Sequence, residues 1–174
     1  MSKFDNIQLE KINSIKLRVE DNSKKMDEIV DDIISTYVND LDEYVAHIDQ
    51  RLCEKENPPS DAELETFCLN LSTLIYFAGG MCEQLGIRDD IAKAVYKETY
   101  NTSRDNQVKG TVQDKNTIAE LEAQQEQLVS ICYTRAYRIV KAKVDNAQEV
   151  LNSCKKAIAR RMQEQQLTNM MGGK

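Results

Sequence analysis

Tryptophan is missing from this chain, histidine occurs once, at His47, and the only two prolines stand side by side at Pro58 and Pro59. Each shortage removes a class of chemistry. A single His leaves no second imidazole to share a metal. The five cysteines, Cys53, Cys68, Cys82, Cys132 and Cys154, show no C-x-x-C spacing, so neither a zinc site nor any cofactor is expected. Their odd number and wide separation also argue against a disulfide framework and suit a reducing compartment, where they act as small apolar groups. "AGGMCEQLG" lacks the Lys and Ser/Thr of a phosphate-binding loop. Asp31–Asp32 and Asp89–Asp90 could chelate a cation, but adjacent acids point in different directions on a helix, so they read mostly as solvated faces. No nucleophile stands at a spacing that suggests a base partner, so no enzyme is expected. No apolar run approaches the ~18 residues that cross a bilayer. The opening "MSKFDNIQLEK" has no apolar signal core, which leads to an expectation of a cytoplasmic protein without membrane association.

What remains is rich in helix formers. With 41% hydrophobic residues and only six glycines, the expected fold is all-α, built from long helices with coiled-coil character that assemble as a homo-oligomer. No Gly or Pro occurs from Met1 to Asn57. Ile12, Ile15, Val19, Asn22, Met26, Ile29 and Ile33 alternate in steps of three and four, a heptad seam with one polar position. Tyr37, Leu41, Tyr44, Ile48 and Leu52 continue mostly four apart, a pattern of globular packing. Asn22 or Ser23 offers a cap that would break this helix in two. Pro58 and Pro59 close the segment, and Ser60 with Glu63 makes a capping box for the next helix. Leu64, Phe67, Leu71, Leu74, Ile75 and Ala78 form its apolar face, and Gly79–Gly80 predicts a kink or a close helix contact. The polar stretch 101–114 is expected to be a loop. Thr111 with Asp114 is expected to start a last helix that runs without Gly or Pro to about Gln166. Such a helix would be roughly 75 Å long at 1.5 Å per residue, which implies partners. The resulting division is an acidic heptad-bearing extension at 1–57, a helical core at 60–167 and a flexible tail at 168–174.

Charge is distributed unevenly. Residues 1–60 carry 14 acids and 8 bases, residues 61–126 carry 12 and 6, and residues 127–174 carry 3 and 9, within a net charge of −6. On a helical wheel Val140, Val144, Ala147, Leu151, Ile158 and Met162 share one side. Arg138, Lys141, Lys156 and Arg160 fall on the opposite side, with Arg135 nearby, and Lys143, Lys155 and Arg161 flank the apolar stripe. Tyr133 and Tyr137 alternate with the first of these bases. Cations on one face with interleaved rings suit single-stranded nucleic acid, where bases neutralise phosphate and rings stack. The competing readings are that the tyrosines edge a core, and that the bases pair with the chain's own acids.

Three stretches carry a family resemblance: "AKAVYKETYNTSRDN", "VKGTVQDKNTIAELEA" and "AQEVLNSCKKAIARRM". In this order, from about Glu63 to Gln165, the chain resembles the phage recombination mediators of the UvsY-like family. The resemblance implies binding of single-stranded DNA, homo-oligomerisation, and help in loading a RecA-type recombinase against the single-strand-binding protein. It would place the protein in the host cytoplasm. Carried over by position, it points to Arg104, Lys109 and Lys115, and to Lys155, Lys156, Arg160 and Arg161. Residues 1–60 have no counterpart in that pattern. Two other functions remain open on the residues alone: a coiled-coil structural or scaffold protein of a phage, and an acidic decoy of a host nucleic-acid-binding protein.

Overall fold

The structure is a computed structural model that describes residues 3–172, with side chains over 12–170. It is all-helical. Four helices follow one another: α1 (Lys3–Cys53), α2 (Asp61–Asn106), α3 (Val112–Glu122) and α4 (Gln124–Gly172). Among the described residues there is no strand, and no helix is long and apolar enough to cross a membrane.

Local chemistry explains most of the boundaries. α1 runs through Asn22 and Ser23 without the expected break, because the Ser23 hydroxyl donates to the Asp27 carboxylate one turn on (3.4 Å) rather than capping backbone. It stops at Cys53, ahead of the two prolines. The Ser60 capping box forms as the sequence predicts: the Glu63 N–H donates to Ser60 Oγ (3.2 Å), and the Ser60 N–H to Glu63 Oε2 (3.4 Å). Thr111 and Asp114 make the same reciprocal pair at the start of α3. The Thr111 hydroxyl also donates to Asp114 and holds that carboxyl below its ordinary range.

Four further expectations need correction. α2 passes through Gly79–Gly80 as unbroken helix, and a Cβ at either glycine would meet nothing within 4 Å. The polar stretch from 101 onward is helical as far as Asn106, which leaves only 107–111 outside helix. The reason is tertiary: Ser103 is buried and its hydroxyl bonds the Glu122 carboxylate, so a residue that reads as loop-forming anchors α2 to α3. The single helix expected after Asp114 is two, divided at Ala123 (φ −93°, ψ 11°). The Ala123 N–H still donates to the Ala119 carbonyl, and both alanines are fully buried. At the far end α4 continues through 168–172, in place of the tail expected there, and residues 173 and 174 lie outside the described residues.

The chain forms two compact units. One combines residues up to Ile33 with Ala92–Ala136; the other combines Ile34–Ile91 with Tyr137 onward. In the second unit, segments of α1, α2 and α4 make a three-helix bundle. α2 runs antiparallel to its neighbours: Arg51 of α1 meets Glu63, Tyr44 meets Phe67 and Asn70, and Asp61 meets Arg161 of α4. Its core is large and apolar: Val38, Leu41, Ile48, Leu64, Phe67, Leu71, Leu85, Val140, Leu151 and Cys154 are buried. Gly86 allows a close approach here, since a Cβ would stand 3.2 Å from the Tyr137 ring. The guanidinium of Arg88 lies over the buried Tyr37 ring, 5.7 Å from its centroid.

The first unit buries mostly small side chains: Ala92, Ser103, Ala119, Ala123, Ser130, Cys132 and Ala136, with Val30. Ile12, Ile15, Val19 and Ile29 of the heptad seam are exposed, and Met26 and Ile33 are half-buried. Met26, Ile29 and Ile33 line an apolar groove of about 600 Å³ with Leu128, Val129 and Cys132.

Candidate nucleic-acid interface

The basic residues of α4 in the second unit divide into two sets, and the helical period explains which is which. Lys143 and Arg161 lie on the same flank of the packed stripe, and both turn inward to acids of neighbouring helices. Lys143 Nζ donates to Asp42 Oδ2 at 2.7 Å. Arg161 donates to Asp61 Oδ1 at 2.9 Å and to the Pro59 carbonyl at 2.7 Å. Gln165 adds a bond to the same Asp61 (3.4 Å). These two bases therefore bridge α4 to α1 and α2, and their half-buried heads are committed to those contacts.

Arg138, Lys141, Lys155, Lys156 and Arg160 are exposed. Arg160 pairs with Glu164, one turn along its own helix (2.9 Å). Among the described residues, no ion pair joins Arg138, Lys141, Lys155 or Lys156 to an acid. Asp145 and Glu149 are exposed on the same side and interrupt it midway. Arg138, Lys141, Lys156 and Arg160 thus make a strip with basic ends, facing away from Val140, Ala147, Leu151 and Cys154, which pack inward, and Lys155 flanks the packed stripe. Four methylenes let each lysine move its ammonium over several ångströms, which suits a flexible polyanion better than a fixed small ligand.

Arg104, Lys109, Lys115 and Arg135 belong to the first unit. Arg104 and Lys115 line one open hollow of about 520 Å³ between the end of α2 and the start of α3, together with Asp105, Val112 and Asn116. Arg104 is paired with Asp105 (3.3 Å). Lys109 is exposed in the connection between the two helices. Arg135 is exposed and stands 4.0 Å from Asp27 of α1.

Neither tyrosine of "YTRAYR" projects as a free ring from the basic strip. Tyr133 is half-buried and lines the apolar groove of the first unit. Tyr137 is half-buried against Gly86 in the second. Both sit at the edge of a packed face, the competing reading of their spacing. His47 is exposed at the bundle surface, its ring edge-on to Phe67 at 5.8 Å. All five cysteines are free thiols, with Cys82, Cys132 and Cys154 buried. Burial pushes those three thiols up from their usual range, which keeps them protonated and poorly nucleophilic at neutral pH.

The sequence alone did not single out Arg88, which covers the Tyr37 ring, or Arg51, which donates to Glu63 (2.7 Å) across the α1–α2 connection. Neither lies in a basic run, so no local charge pattern marks it. Compared with family models, with curated proteins and with solved structures, the chain gives no significant match.

Proposed function

We propose that the protein is a non-enzymatic, oligomeric single-stranded-DNA-binding mediator of phage recombination and repair, which assists the loading of a RecA-type recombinase against the single-strand-binding protein. The observation that carries this reading is the division of bases on α4. The helix commits Lys143 and Arg161 to its own chain's acids and leaves Arg138, Lys141, Lys155, Lys156 and Arg160 on the solvent side. Pairing between helices does not account for these five bases, since among the described residues no acid of a neighbouring helix forms an ion pair with any of them. A net charge of −6 does not oppose the reading, because affinity for phosphate depends on local charge. The strip is short on one chain. Several copies would repeat it, and linked weak sites gain through effective concentration. The hollow between Arg104 and Lys115 would supply a second, smaller contact.

Fluorescence anisotropy with an oligo-dT probe tests this. The expected result is binding at low salt that weakens steeply as salt rises, because each phosphate contact releases counterions. Lys156→Glu combined with Arg160→Glu should weaken binding by at least roughly tenfold while helicity is kept. No anisotropy change at low salt would remove the proposal. The structural-scaffold reading would then stand, favoured by the internal pairs of Lys143 and Arg161 and by the exposed seam at Ile12, Ile15 and Val19.

A further inference from the structure

The outer side of α2 differs in composition from the rest of the surface. From Thr66 to Cys82 no residue is charged, in a chain where 30% of residues are. A core face accounts for part of this, since Phe67, Leu71, Ala78 and Cys82 are buried. It does not account for the opposite side. Leu69, Tyr76 and Ile87 fall on one line about 180° around the helix from that core. They are 71%, 78% and 61% exposed. Exposed Ile91 extends the line, and Phe77 sits beside Tyr76 with ring centroids 5.5 Å apart in an edge-to-face contact. Exposed apolar and aromatic side chains without charge have the make-up of an interface rather than of a solvated helix face.

Gly80 lies in the middle of this line. A glycine inside a helix lowers stability through backbone entropy, and its use is to let another group approach closely. At Gly86 the approaching group is the Tyr137 ring of the same chain. At Gly79 and Gly80 a Cβ would meet nothing within 4 Å, so none of the described residues uses the space.

We infer that the outer face of α2 is a self-association surface. Two copies pack it antiparallel about a two-fold axis near Ala78, with Tyr76 of each copy seated over Gly80 of the other. Composition favours a second copy: the stretch Thr66–Cys82 carries no charge to complement a nucleic acid or a charged protein, and it matches itself. The order of residues favours it further. About a two-fold at Ala78, residues equidistant along the helix face one another. Leu69 then meets Ile87 of the partner subunit, and Tyr76 meets the partner's Gly80. Each of these two bulky side chains meets a small or apolar one. A parallel pairing would set ring against ring and leave glycine against glycine, a clash beside a void. The inference names a face that joins copies in the oligomer proposed above, and it stands whether or not nucleic acid binds.

Sedimentation velocity of the full chain over a concentration series tests it, with circular dichroism as the check on folding. The wild type is expected to sediment as a dimer or a multiple of one. Leu69→Lys and Ile87→Glu should each weaken association by roughly tenfold or more. The two together should return it towards wild type, because antiparallel pairing brings the opposite charges face to face. Gly80→Leu should abolish association by filling the seat of Tyr76, at a position where the chain itself has open space. A wild type that stays monomeric overturns the inference. So do single variants that sediment like wild type, or a double variant as weak as the singles.

Discussion

The two units bury different things. The bundle of Ile34–Ile91 with Tyr137 onward hides Leu, Ile, Phe and Val, whereas the unit built from Ala92–Ala136 and the first part of α1 hides mostly Ala, Ser and Cys. Apolar burial stabilises in proportion to area, about 25 cal/mol per Å², so a core of alanines gains far less than one of leucines. The apolar side chains that would enlarge the first core, Ile12, Ile15, Val19, Ile29 and Leu128, are on its surface or along its groove. One half of the molecule is thus largely self-sufficient, and the other keeps its larger hydrophobes unspent.

That contrast can be broken at its strongest point. Leu71→Ala, in the bundle core, should cost roughly 2–5 kcal/mol in chemical denaturation. Ile15→Ala should change the same midpoint by less than about 0.5 kcal/mol at concentrations where the chain is monomeric, because its side chain is already exposed. Equal losses would mean that the seam is buried in solution. Glycine gives a finer comparison. Gly80→Ala should stabilise the monomer by roughly 0.5–1 kcal/mol, the entropy gain of an open helical site. Gly86→Ala should gain less or lose, since the Tyr137 ring must move to admit the methyl at 3.2 Å. Thermal melts of the two variants measure the difference directly.

Ion pairs give smaller effects. Lys143→Ala should cost about 0.5–1 kcal/mol, the upper range for a partly exposed pair, and Lys141→Ala close to nothing. A double-mutant cycle with Asp42→Ala isolates the pair. The smallest effect is on pH dependence. The hydrogen bond from Arg51 holds the Glu63 carboxyl below its ordinary range. Its folded-state value is depressed, so its contribution is fully present above the ordinary carboxylate range and is lost as pH falls through the depressed value. Glu63→Gln should flatten the acid side of the stability–pH curve. An acid limb unchanged from wild type would assign that slope to other carboxylates.

Features that depend on neighbours in sequence were legible, and those that depend on neighbours in space were not. Both capping boxes follow from two residues three apart, and both form as the residues dictate. The helical fold follows from composition and period. The polar stretch 101–106 misled because its helix is fixed by Ser103 reaching Glu122, a partner that no local pattern announces. Gly79–Gly80 suggested a kink, yet the surrounding helix formers and the packed face of Leu71, Ala78 and Leu85 carry the helix through. The basic face of α4 was legible as a face, because a wheel sorts side chains by direction. Which bases turn to acids was not, because the sequence does not say that Asp42 and Asp61 stand opposite Lys143 and Arg161. The outer stripe of α2 escaped notice for a related reason. Its apolar residues merge with those of the buried face into one hydrophobic segment, and only burial separates the two.

The five-residue connection between α2 and α3 has one more consequence. Lys109 is exposed there, outside any helix, beside Gly110 at φ 114°. Trypsin needs an extended, accessible backbone, and most other lysines and arginines of the described chain lie within helices. Besides Lys55, the exposed lysine of the α1–α2 connection, limited digestion should therefore nick the protein after Lys109. The cut would sever the polypeptide without dispersing it, because the three-helix bundle takes α1 and α2 from the first fragment and α4 from the second. The protein should survive as a non-covalent pair of fragments, a route to splitting and reassembling it from two separately expressed pieces.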